Sequence, residues 1–332
     1  KAFEQMTGAR HCLATASGTA ALTTALGALD LGPGDEVILP PYTFIATWNV
    51  IVLNFALPVF VDVDPETFQI DPARVEQSIT PQTRALLPVH IGGSPPDLDT
   101  LLAIGARRGV PVIEDACQAH LAEWRGRAVG TWGLAGCFSF QASKNLNCGE
   151  GGAVLTGDPD FANRCYNFHT QGRGRPVSGP QPSRASNLRL SEFQGRLLRA
   201  QMARVLDQTR RRTENATYLT ALLGQIPGIT PARLYEGVTR SAYHLYMFRY
   251  DKEHFAGLPR SRFLEALGQA GVPASGGYGP MHRDPYVTGI TRDRHFLRIY
   301  GERHLQEWQE RALTCPRNDR LCEDAVWFTQ NM

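Results

Sequence analysis

Three lysines stand among the 34 basic residues of this 332-residue chain, so a reaction that needs a primary amine can draw only on Lys1, Lys144 and Lys252. Lys144 falls in Cys137-Phe-Ser-Phe-Gln-Ala-Ser-Lys-Asn-Leu-Asn-Cys-Gly-Glu-Gly-Gly152, a polar, glycine-rich loop between two apolar runs. An amine held in a crevice, against apolar surface or a second cation, gives up its proton more readily and attacks carbonyl carbon to form a Schiff base. A solvated loop lysine is the ordinary alternative, but scarcity and context reverse that preference here. Asp115 could pair with a ligand cation, and beside a pyridine ring it would keep the nitrogen protonated so that the ring draws in electrons. Its ordinary alternative is a helix N-cap. Gln118, three residues on, could donate to a ligand oxygen. Ser17-Gly18-Thr19 opens a helix and offers unpaired N–H groups and hydroxyls to an anion. Ser139, five residues before Lys144, could reach the same anion, and Phe44 could stack on a planar ligand.

The elements that must position these residues follow from hydrophobic period. Helical patterns over 19–29, 44–55, 72–79 and 98–108 alternate with short apolar runs over 36–39, 58–63, 85–89, 110–113 and 136–140. That alternation predicts βαβ units and an α/β domain built on a mostly parallel sheet. In such sheets ligands gather outside the carboxyl ends of the strands. Tyr42-Thr43-Phe44, His90, Glu114-Asp115 and the segment after 136–140 fall there. A long helix from 191 to about 223 is expected to join a large domain, 1–205, to a smaller α+β domain, 206–332, with a strand at 245–250 and a helix at 261–270.

Composition removes other classes of function. With 42% hydrophobic and 20% charged residues and a net charge of +2, the chain is globular and has no basic excess to hold a nucleic acid. No stretch approaches the roughly 20 apolar residues of a membrane span, and the first residues lack a signal-peptide pattern, so a cytoplasmic location is expected. Seven cysteines, odd in number and without a CxxC pair, read as buried residues or free thiols. Neither GxGxxG after the first strand nor GxxxxGK[ST] is present, position 141 is Gln where a Ser-x-x-Lys hydrolase needs serine, and the histidines form no HExxH. No metal site is expected.

The order of several motifs resembles the DegT/DnrJ/StrS family of pyridoxal-phosphate-dependent aminotransferases, of fold type I. They are Ser17-Gly-Thr-Ala-Ala-Leu22, Gly32-Pro-Gly-Asp-Glu-Val37, Tyr42-Thr-Phe44, Pro58-Val-Phe-Val-Asp-Val63, Glu114-Asp-Ala-Cys-Gln-Ala119, Phe138-Ser-Phe-Gln-Ala-Ser-Lys-Asn145 with Gly149-Glu-Gly-Gly152, and Asn187-Leu-Arg-Leu-Ser-Glu-Phe-Gln194. The resemblance implies that Lys144 holds pyridoxal 5'-phosphate through a Schiff base and shuttles protons, and that Asp115 binds the ring nitrogen. It further implies Gln118 at the ring hydroxyl, Phe44 stacked on the ring, and Gly18, Thr19 and Ser139 around the phosphate. Asn187 would reach the phosphate of a partner chain, which implies a homodimer with shared active sites. His244, Tyr278 and His282 fall in segments that the family uses near substrate, with packing in the small domain as their ordinary alternative.

The implied reaction moves an amino group from glutamine or glutamate to a keto sugar or keto cyclitol. Phe140-Gln141 and Ser186-Asn187 look more like the glutamine-dependent inosose aminotransferases and the aminohydroxybenzoate synthases than the nucleotide-sugar enzymes. A nucleotide keto-sugar aminotransferase, a dehydratase like aminohydroxybenzoate synthase and a non-catalytic cofactor-binding homologue are the alternatives. Against the family pattern, the chain starts where a further N-terminal segment is usual and stops at Trp327-Phe-Thr-Gln-Asn-Met332, before the usual terminal helix.

Overall fold

Strands 36–39, 57–60 and 135–139 are buried along their whole length and apolar except for Glu36 and Ser139 at their ends, as strands covered on both faces require. In the computed structural model, which describes residues 1–172, 174–177 and 184–329, Glu36–Leu39 lies between Leu57–Phe60 and Thr83–Leu86, parallel to both. Ile113–Asp115 runs parallel to Ala135–Ser139. Gly152–Thr156 is antiparallel to both Ala135–Ser139 and His11–Thr15. Parallel bridges at Leu86–Val112 and Val89–Asp115 set the two groups side by side. The expected mostly parallel α/β layer is present, with one strand reversed.

Local signals account for most boundaries. Ser17 caps helix Gly18–Ala28 by accepting from Ala20 N, and Asp97 caps Leu98–Arg108, which ends at Gly109 in the left-handed region (φ 66°). Helix Glu192–Leu223 opens with a full capping box between Ser191 and Gln194. Two expectations shift. The helix expected over 44–55 is confined to Ala46–Val52, with Phe55 turned to φ 57°. In the run 110–113, Val112 bridges to Leu86 and pairing with Ala135–Ser139 runs from Ile113 through Asp115, so Asp115 is the last strand residue rather than the first loop residue.

The first strand, His11–Thr15, and the helices after residue 285 were not among the elements expected from sequence. Val287, Phe296, Leu305 and Trp308 join the same buried cluster as Val37, Ile38, Leu57 and Val59, although they lie far beyond the expected 205/206 division. Trp308 Nε1 donates to the Pro58 carbonyl at 2.9 Å. A second, antiparallel sheet runs in the order Ile229–Pro231, Leu245–Tyr250, Ala325–Thr329, Ala274–Ser275. Residues 330–332 lie outside the described residues. All seven cysteines are free thiols, and no described helix is long and apolar enough to cross a membrane.

One buried carboxylate organises the layer next to Asp115. Glu114 accepts from His90 Nε2 at 3.0 Å and from the backbone N–H groups of Gly130, Trp132 and Gly133 at 2.6–2.8 Å. Burial pushes its pKa up, but His90 and those N–H groups outweigh burial and hold the carboxyl below its ordinary range. The folded pKa is depressed, so this stability is present above the unfolded value of about 4.3 and is lost as pH falls through the lower folded value. Glu114→Gln is expected to cost about 3–5 kcal/mol in urea melts, because it sets an amide NH2 against N–H donors. It should also remove this part of the acid dependence.

Candidate active site

A cleft of about 1100 Å³ opens at the carboxyl ends of the parallel strands. Its floor is where the first turn of helix Gly18–Ala28 meets the end of strand Ala135–Ser139. A Cβ on Gly18 would stand 2.6 Å from Ser139 Cβ and 2.9 Å from Cys117 Sγ, so only glycine lets the helix start this close to the strand. Ser17 Oγ takes the Ala20 N–H. The N–H groups of Gly18 and Thr19 precede the first intrahelical bond and remain for an anion, with the buried Ser139 beside them. Gly18→Ala is expected to cost about 1–3 kcal/mol by overpacking. It should also weaken phosphate-bearing ligands, which a melt and a cofactor titration would show together.

Asp115 is buried at the next strand end. Its Oδ2 accepts from Thr47 Oγ1 at 2.9 Å and its Oδ1 from Cys117 N at 3.2 Å, and Thr43 Oγ1 is 2.8 Å from Thr47 Oγ1. The carboxylate is thus fixed in the wall and presented to the cleft. Gln118 Oε1 accepts the Gly92 N–H at 2.8 Å, which orients the amide so that Nε2 donates to Tyr278 Oη at 2.8 Å.

Lys144 is half-buried on a loop closed by Phe140 N to Gly151 O, Cys148 N to Phe140 O and Ala142 N to Gly149 O, all at 2.7–2.8 Å. Desolvation lowers the pKa of its amine, against the pull of Cys117 and Asp115 in the other direction. It makes no ion pair among the described residues. Asn145 Nδ2 donates to the Ala242 carbonyl at 2.7 Å, so its Oδ1, 3.3 Å from His244 Nδ1, is the acceptor and His244 carries its proton on Nδ1. Burial, with Lys144 nearby, holds His244 neutral well below its ordinary pKa.

Of the residues singled out from sequence, Gly18, Thr19, Phe44, Asp115, Gln118, Ser139, Lys144, His244 and Tyr278 all line this one cleft. His282 does not. It is buried 3.2 Å from Asp319 and against Phe60, because the turn that carries Tyr278 inward takes the chain back out before residue 282. Asn187 is exposed and bridges to Thr170, away from the cleft of its own chain. Sequence reasoning placed Thr43 at a strand end without giving it a role, and missed Thr47 and the residues Gln201, Arg204, Gln208 and Arg212 of the long helix, which also line the cleft. Helical spacing could have grouped the last four, but nothing in it distinguishes a cleft face from a solvent face.

The sequence profile of the DegT/DnrJ/EryC1/StrS aminotransferase family matches residues 1–326. The chain belongs to this family. As a DegT/DnrJ/EryC1/StrS aminotransferase it is 42% identical to the putative L-glutamine:3-amino-2,3-dideoxy-scyllo-inosose aminotransferase of Streptoalloteichus tenebrarius, covering 98% of this chain and 79% of that one. It is 37% identical to the L-glutamine:scyllo-inosose aminotransferase of Streptomyces griseus, covering 100% and 80%. Among solved structures, 3-amino-5-hydroxybenzoic acid synthase superposes with a TM-score of 0.84 at 34% identity, covering 99% and 83% of the two chains. An aminotransferase from Psychrobacter cryohalolentis gives 0.85 at 30% identity, covering 98% and 84%. The fold and the enzyme class expected from the motifs are those of this family.

Proposed function

We propose that this aminotransferase binds pyridoxal 5'-phosphate in the cleft and uses it to move an amino group from L-glutamine to a keto cyclitol. The observation that carries the reading is the convergence in one cleft of an amine with a lowered pKa, a fixed buried carboxylate and an unfilled helix N-terminus. These fit the aldehyde, the ring nitrogen and the phosphate of that cofactor respectively. Gly18, Thr19 and Ser139 would hold the phosphate, Asp115 the ring nitrogen, Gln118 the ring hydroxyl and Phe44 a face of the ring. Bound there, the cofactor supplies a carbonyl that accepts the amino group and a ring that takes up an electron pair. Lys144 Nζ would attach it covalently, then take the proton from the donor carbon and return one to the acceptor carbon. Asp115, held by Thr47 and the Cys117 N–H, would keep a proton on the ring nitrogen.

The choice of L-glutamine and a cyclitol is supported by the names of the two relatives above, which are L-glutamine aminotransferases for scyllo-inosose and for an amino-dideoxy-scyllo-inosose. Asn187, which does not line its own cleft, suits a role at the phosphate of a partner, so we assign a homodimer with shared sites, in the cytoplasm, and a division into domains near residue 205 from which the helices after 285 return to the first core. The test is spectral. L-Glutamine should convert the yellow holoenzyme to a form absorbing at shorter wavelength, and scyllo-inosose or its 2-deoxy form should restore the yellow band. No change with glutamine or glutamate would defeat the proposal, and restoration by nucleotide keto sugars alone would replace the acceptor. The likeness to the hydroxybenzoic acid synthase favours a second reading, dehydration of a keto cyclitol. It is separated by product analysis without any amino donor.

A further inference from the structure

Helix Glu192–Leu223 turns a polar stripe toward the cleft. Gln201, Arg204, Gln208 and Arg212 line it, at steps of three, four and four residues that keep side chains on one helix face. Val205 and Thr209, between them, are buried and anchor that face to the body of the protein. Arg204 is exposed and donates from Nη2 to Gln201 Oε1 at 2.5 Å, whereas Arg212 is half-buried, with burial lowering its pKa. Among the described residues the cleft is lined by two guanidinium groups, Arg204 and Arg212, besides the amine of Lys144, and by two carboxylates, Asp115 and Glu150. Asp115 is committed to Thr47 and the Cys117 N–H, and Glu150 is exposed on the lysine loop. The helix side of the cleft is therefore positive.

The two substrates of the proposed reaction differ in charge. A keto cyclitol has none, so a cation gains nothing from it beyond a hydroxyl contact. The amino-acid donor keeps a carboxylate on the carbon that reacts, and a guanidinium fork matches a carboxylate through paired N–H donors. A half-buried guanidinium is also less screened by salt than an exposed one. We propose that Arg212 binds the α-carboxylate of the amino-acid donor, with the amides of Gln201 and Gln208 serving the hydroxyls of the neutral acceptor when it takes the donor's place. One helix face thus accommodates both partners in turn. This assignment rests on the aminotransferase reading above.

Two pairs of probes test it on the holoenzyme. L-Glutamine and L-glutaminamide differ only in the carboxylate, and so do the unreactive analogues glutaramate and glutaramide. The wild type should prefer the carboxylate-bearing member of each pair by roughly 10- to 100-fold, in half-reaction rate for the first pair and in calorimetric Kd for the second. Arg212→Gln should erase both preferences by weakening the carboxylate ligands alone, and Arg212→Lys, which keeps the charge but loses the fork, should retain part of them. A preference that survives Arg212→Gln, that disappears in Arg204→Gln instead, or that changes only because both members weaken equally overturns the assignment. A wild type that responds to L-glutamine but shows no preference overturns it alone. A wild type with no spectral response to any amino donor overturns the aminotransferase reading and this assignment with it.

Discussion

Lys144→Ala is expected to lower the half-reaction with L-glutamine by at least about 10²–10⁴-fold, the range spanned by loss of a positioned proton-transfer group, with loss of covalent attachment added to it. No second amine can substitute. Lys1 stands just before helix Ala2–Thr7 and Lys252 opens the short helix Lys252–Phe255 of the small sheet region, and neither lines the cleft. Removal should leave the fold intact, because Lys144 makes no ion pair among the described residues and its loop is closed by backbone bonds. The melting temperature should therefore stay within a few degrees while the visible band of the holoenzyme shifts. Desolvation holds the amine below its ordinary pKa of 10.5, so more of it is unprotonated near neutral pH than for an exposed lysine. Cofactor attachment should accordingly slow as pH falls and the amine protonates. A stopped-flow record of cofactor attachment against pH checks the direction, and added small primary amines should partly rescue Lys144→Ala.

Asp115→Asn is expected to lower turnover by about 10²–10³-fold, the loss seen when one fixed electrostatic partner of a developing charge is removed. Two donors converge on the carboxylate, the Thr47 hydroxyl and the Cys117 N–H. An asparagine can accept from only one of them and sets its NH2 against the other, which adds a stability loss of about 1–3 kcal/mol. Because the donor binds elsewhere in the cleft, KM for L-glutamine should change far less than kcat. Thr47→Val removes only the hydroxyl that fixes Asp115 and should give a smaller defect of the same kind. Equal loss of kcat in Thr47→Val and Asp115→Asn would mean that position rather than charge is what matters.

Much of the site was legible because it is written locally. Ser17 and Ser191 announce helix starts by capping chemistry, the run 36–39 announces a buried strand, and the scarcity of lysine isolates Lys144 without any geometry. Asp115 was expected just after a strand and is instead its last residue, because pairing with Ala135–Ser139 continues through it. His282 was expected near substrate from the family segment it shares with Tyr278, with packing as the alternative; one turn separates Tyr278, which lines the cleft, from His282, buried against Asp319.

The sequence by itself determined the element types, the mostly parallel layer, the amine and its cofactor-like partners, because caps, period and rare residues act over a few positions. Only the tertiary structure decided that Thr47 closes on Asp115 across 68 residues of chain, that helices beyond 285 join the core built on the parallel strands, and that Gln201, Arg204, Gln208 and Arg212 line the same cleft as Lys144. The reason is that hydrophobic period records which face of an element avoids water. A polar face looks the same in sequence whether it meets solvent or a substrate cleft, and only packing tells the two apart.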